Sequence, residues 1–173
     1  MDVNRDLNIT TVHKTEKNVK IATICDSFQW HDKHDVIAAV ADSRITTFFY
    51  PDVAFIDNSL FQLTSLSKEV SELGRLPQIS NYCDTQVTIR RRDGAALTVA
   101  NSPYPTILLD FCDKGKWEKA TKLCRFVKDN LLWSILAAAS LKHRKLESAE
   151  TAFAAIEVPE KVIFISELRD NPS

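Results

Sequence analysis

Over roughly the first hundred positions the hydrophobic pattern follows strands; beyond them it follows helices. Residues 19–24 alternate loosely, and Ser27, Phe28, Gln29 and Trp30 continue in period two. Residues 36–41 form a continuous apolar run that stops at Asp42-Ser43-Arg44. Residues 45–50 are rich in β-branched and aromatic side chains and stop at Pro51, so 36–50 predicts a hairpin. A second hairpin is predicted where 86–91 alternates, Asp93-Gly94 supplies a turn, and 96–100 returns. Between the hairpins, 52–80 is irregular. It predicts a long loop with a short helix over 66–73, stopped by Gly74. Residues 1–18 carry no assignable pattern.

The period changes at Ser102-Pro103-Tyr104-Pro105, where two prolines can continue neither a ladder nor a helix interior. Helices are predicted over 106–112, 116–128, 131–141, 148–156 and 159–168. Trp117, Ala120, Leu123, Cys124 and Val127 share one face of the second. The third is apolar nearly all round, as a helix enclosed by neighbours would be. Placing Trp117 on Leu146 also places Ala120 on Ala149, Leu123 on Ala152, Cys124 on Phe153 and Val127 on Ile156. That offset of about 29 residues lies in the range of helical solenoids. The fold class is therefore β followed by α. Partial propeller-type blades, two or so hairpins, fill 1–101, and an α-helical repeat region fills 102–173. Two hairpins close no propeller and two helical hairpins cover neither end of a stack, so both halves read as segments of something longer.

Composition narrows the chemistry. The 173 residues carry 22 basic and 23 acidic side chains, a formal net charge of −1, which predicts neither a nucleic-acid nor an anionic-membrane partner. The three glycines, Gly74, Gly94 and Gly115, are too scattered for a glycine-rich phosphate loop. Cys25, Cys83, Cys112 and Cys124 have no CxxC spacing, and no apolar run is long enough for a membrane span. Residues 1–20 are polar and charged, unlike a signal peptide, and a reducing intracellular compartment is expected.

Candidate sites are few. His31 and His34, beside Asp32 and Asp35, have the donors of a metal site. Lys33 within the cluster and the flanking strands make a solvated turn the expectation. Cys124 and His143 could serve as nucleophile and base, but Cys124 falls on an apolar helix face and reads as core. Cys25 beside Asp26 and Cys112 beside Asp113 have no adjacent cation to activate them. Glu118, Glu147, Glu150 and Glu160 are scattered, with Glu118 placed to pair with Lys122. Arg90, Arg91 and Arg92 with Lys122, Arg125 and Lys128 would form a basic patch only if the two halves folded together. Trp117 and Trp133 are expected in the helical core, and Trp30 is unassigned. No catalytic, cofactor-binding or metal-binding residue is assigned.

Several stretches, in order and spacing, resemble the intraflagellar transport protein 80 family. They are residues 86–94, Ser102-Pro103-Tyr104-Pro105, 116–120, 123–128 and 149–156, continued by 160–166. The likeness is specific from about 80 to 173 and looser over 19–56. It implies late WD-repeat blades of a second propeller running into a helical region. It further implies a non-enzymatic subunit of intraflagellar transport complex B, acting in cilium assembly and maintenance. Other complex-B subunits would be its partners, with self-association through the helical region. Its place would be the cilium or flagellum and its base. The chain is much shorter than that family's pattern, so a fragment, a truncated gene product or a short paralogue is expected. Two other readings stay open: a propeller-plus-solenoid adaptor of a vesicle coat, and a small metal enzyme using His31 and His34.

Overall fold

The computed structural model describes residues 1–12 and 17–170. Strands β1 (Leu7–Thr10) and β2 (Asn18–Ala22) form an antiparallel pair. Four strands follow as an antiparallel meander in chain order: β3 (Cys25–Trp30), β4 (Val36–Ala41), β5 (Arg44–Phe49) and β6 (Ser65–Glu69). A three-stranded meander comes next: β7 (Gln78–Cys83), β8 (Gln86–Arg90) and β9 (Ala96–Ala100). Residues 36–41 are apolar throughout because β4 is central and covered on both faces, with Val36, Ala38 and Val40 buried on one and Ile37 and Ala39 on the other. Its two-residue turn to β5 puts Asp42 and Ser43 at φ +48° and +58°, the left-handed pair whose twist suits a hairpin. Gly94, at φ +87°, lies in the β8–β9 turn, where Arg91 donates its N–H to Ala95 O.

Adjacent sheets are joined at β3, to the turn ahead of β1 on one side and to β7 on the other. Cys25 N–H donates to Arg5 O, and Ile79 N–H at the start of β7 donates to Ser27 Oγ in β3 at 2.7 Å.

The expected helix over 66–73 is absent. Ser65–Glu69 instead pairs with β5, Phe48 opposite Ser65 and Arg44 opposite Glu69, and a 3-10 turn spans Ser71–Leu73 before Gly74 at φ +69°. The open edge of β5 offers a ladder, whereas a helix so short is unstable alone. Of the alternating stretches 19–24 and 27–30, the first is β2, which ends at Ala22, and the second lies in β3. Ile24, at φ +49°, turns the chain between β2 and β3.

Helix α1 (Val53–Ile56) and a 3-10 turn at Asn58–Leu60 lie between β5 and β6. Five helices close the described chain: α2 (Tyr104–Asp113), α3 (Trp117–Val127), α4 (Asn130–Lys142), α5 (Leu146–Ala155) and α6 (Pro159–Asp170). Pro105 fits the first turn of α2, where its missing N–H costs nothing. The repeat is written in the backbone. Helices α3 and α5 start 29 residues apart. At that same offset Gly115 and Arg144 are both left-handed, as are Lys128 and Glu157. Lys116 N–H donates to Phe111 O as Lys145 N–H donates to Ser140 O, each at 2.8 Å. Ala120 and Ala149, fully buried at matching positions, let the helices approach closely. Helix α4 packs against α1, α2, α3 and α5, which explains its uniformly apolar surface.

The chain divides into two compact units, Met1–Pro51 with Ser65–Ser102, and Asp52–Thr64 with Pro103–Ser173. A cut between 101 and 102 therefore misses one excursion. The β5–β6 connection, Asp52–Thr64, belongs with the helices because Val53 and Leu60 bury their side chains there. Polar contacts fasten it: Lys142 Nζ to Asp52, and Lys161 Nζ to Asp57 at 2.9 Å.

Candidate interaction surfaces

The His31 cluster is a structural joint. His31 is buried, against the expectation of a solvated turn. Its Nδ1 accepts the N–H groups of Lys33 and His34 at 3.1 and 3.2 Å, so the ring proton resides on Nε2, which donates to Asp84 O at 2.9 Å. Both nitrogens are thus committed, leaving no lone pair for a metal. The ring also meets Tyr82 edge-on at 4.9 Å and lies 5.0 Å from His34. Asp32 N–H donates to Tyr82 O, so this loop ties the four-stranded sheet to the three-stranded one. Among the described residues, no three His, Cys, Asp or Glu side chains gather closely enough to hold a metal ion.

The thiols are dispersed and quiet. Cys25, Cys112 and Cys124 are buried and Cys83 half-buried, all free. Burial, with Asp113 adding to it, pushes Cys112 up to about 12; burial, with Cys112 and Asp129, does the same to Cys124. Such thiols supply almost no thiolate near neutrality. His143 lies against Trp117 at 5.4 Å between ring centres, and no hydrogen bond joins it to Cys124 among the described residues. Glu150 receives Arg169. Glu118 and Lys122 form no ion pair among the described residues, although both line one groove.

Three surfaces stand out among the described residues. The first is that groove, between α3 and α5, lined by Trp117, Thr121, Lys122, Arg125, Ser148 and Thr151, with Glu118 and Glu147 on its rim. Trp117 is half-buried here, whereas Trp133 is in the core as expected. The second is the outer face of α6, where Ile163, Phe164 and Leu168 are exposed. The third is the outer edge of β9, without a ladder partner among the described residues; Lys68 Nζ takes one nearby carbonyl, Ala100 O, at 2.6 Å. Arg90 to Arg92 lie at the β8–β9 turn, in a different unit from Lys122, Arg125 and Lys128. Sequence reading named Lys122 and Arg125 but missed Thr121, Ser148 and Thr151. The 29-residue repeat held the signal, since Glu118 and Lys122 align with Glu147 and Thr151.

Comparison with known proteins agrees with this architecture. Residues 1–104 match the family described as IFT80 second beta-propeller, and residues 132–173 match the IFT80/172/WDR35/WDR19 TPR domain. The chain is 37% identical over 176 aligned residues to the intraflagellar transport protein 80 homologs of Mus musculus and Rattus norvegicus. That alignment takes in 100% of this chain but 23% of each relative, so the chain spans about a quarter of their length. No helix among the described residues is long and apolar enough to cross a membrane. With a strand-built unit matched over its first 104 residues and a helical-repeat unit matched behind it, the chain belongs to the intraflagellar transport protein 80 family.

Proposed function

We propose that the chain works as a non-catalytic scaffold element of intraflagellar transport complex B, contributing to cilium assembly and maintenance by holding partner subunits. The observation that carries this reading is the family likeness running through both units in order, strands and then helical repeats. The geometry supports it: the distinctive features are surfaces, and the His31 and Cys124 groups are committed to the fold. Its partners are other complex-B subunits, and its place is the cilium and its base. Self-association through the helical region has a ready surface in the exposed apolar face of α6.

A tagged chain expressed in ciliated mammalian cells tests the proposal. Enrichment at the ciliary base and co-purification of complex-B subunits is the expected result. Accumulation on Golgi or endosomal membranes, with coat subunits in the eluate, would replace it with the vesicle-coat reading.

A further inference from the structure

The groove between α3 and α5 does not stop at Trp117. A second cavity, of about 450 Å³, is lined by Trp117, Glu147 and Ser148 together with Arg144, Lys145 and Arg169. The first cavity, about 330 Å³, shares Trp117, Glu147 and Ser148 with it, so the two make one continuous trough. Its charge is unbalanced. Lys122, Arg125, Arg144 and Lys145 make no ion pair among the described residues and outnumber the two rim carboxylates, Glu118 and Glu147. Arg169 is already engaged by Glu150 and Asp170. Elsewhere in this unit Lys114 pairs with Asp110, Lys142 with Asp52 and Lys161 with Asp57, while Lys116, Lys119 and Lys128 make no ion pair among the described residues; the trough is set apart by gathering four such cations around one aromatic ring. The floor is chemically mixed. The half-buried Trp117 ring supplies an apolar surface, and the hydroxyls of Thr121 and Thr151 turn back to Trp117 O and Glu147 O. Ser148 adds a polar group to that floor.

We propose that this trough binds an extended acidic peptide segment of a partner protein. The unpaired cations would take its carboxylates, and Trp117 would take one apolar side chain. A trough with an aromatic floor and charged walls suits a chain of alternating acidic and apolar residues. A phosphate backbone fits it poorly, because Glu118 and Glu147 stand among the cations and would repel closely spaced phosphates while still accepting peptide N–H groups. The inference goes beyond the scaffold proposal and does not depend on which assembly the chain serves.

Fluorescence anisotropy on the full chain tests it. The probe is a short fluorescein-labelled Glu/Ala peptide carrying one Leu. Salt-sensitive binding with a change in tryptophan emission is expected. The double variant Lys122→Glu with Arg125→Glu should weaken binding about tenfold or more. Lys145→Glu, across the trough, should weaken it as well. Lys119→Glu, the same charge change on an exposed α3 position outside the trough, should leave it unaltered. Circular dichroism melts verify that each variant is folded, and the uncharged pair Lys122→Gln with Arg125→Gln replaces the double variant if that one melts early. Three results would overturn the proposal: no binding by the parent chain, equal loss in Lys119→Glu, or tighter binding of a single-stranded RNA or phosphatidylserine vesicles than of the peptide. The scaffold reading is judged separately, by co-purification from ciliated cells.

Discussion

At the residue scale, His31 shows how a side chain with the credentials of a ligand becomes a rivet. Its imidazole receives two backbone N–H groups and donates to a carbonyl of the next sheet. His31→Ala would remove the imidazole partner from these part-buried groups and leave a void at a buried position, costing about 2 kcal/mol. Urea unfolding of the strand unit should show that loss, while His31→Asn, whose short side chain can still accept the local N–H groups, should recover part of it. The thiols make a second prediction. With Cys112 and Cys124 held near 12 by burial and Cys25 pushed up for the same reason, iodoacetamide at neutral pH should label Cys83 first. The other three should react only in denaturant, as peptide mapping would reveal. The cluster around His31 was legible in the sequence as chemistry but not as structure, because its partners Tyr82 and Asp84 lie some fifty residues away and no local pattern announces them.

At the element scale, what could be read depended on whether the signal was local. The β8–β9 hairpin carries Asp93-Gly94 and the α3 face carries its own period, so both were evident from neighbouring residues. Strand β6 has one large apolar residue, Leu66, itself partly exposed, because only an edge position is required of it. Its conformation comes from the ladder with β5, which no local window contains. The excursion Asp52–Thr64 was likewise visible only as irregularity. Its attachment can be tested directly. Val53→Asp would place a charge in a fully buried site of the helical unit, at a cost of about 3 kcal/mol. The helical signal at 222 nm should then melt earlier. Asp57 adds a dependence on acid. Burial pushes its carboxyl up, but Ser59 and the Lys161 ammonium outweigh that and hold it below its ordinary 3.8. A carboxyl so lowered stabilises the fold at pH values above its unfolded pKa, and that contribution fades as the pH falls through the lower folded value. Between neutrality and mild acid the helical unit should therefore lose nothing on this account. Below about pH 4 it should lose stability that an Asp57→Asn variant does not lose.

At the scale of the whole molecule, the change from strands to helices at Ser102–Pro105 was plain, since two prolines and a change of period coincide there. The number of sheets was not. Sequence reading found two hairpins where the described residues form three sheets, because β1 has only four residues, β6 is largely polar, and β7 sets Gln78, Ser80 and Asn81 among its apolar positions. The composition of the units was hidden for a similar reason, as a chain that leaves one core and returns gives no compositional notice. A polypeptide of residues 103–173 alone would expose the surface that Val53 and Leu60 cover. Its thermal midpoint should be lower than that of the helices within the full chain, and a synthetic peptide of residues 52–64 should raise it in a concentration-dependent way.

The same excursion determines how force would travel through the protein. Three peptide connections join the units, after Pro51, after Thr64 and after Ser102. A pull on the helices therefore arrives at β5 and β6, in the four-stranded sheet, as well as at β9 on its open edge. Tension that would otherwise peel one edge strand away, one hydrogen bond at a time, is divided among strands of two sheets.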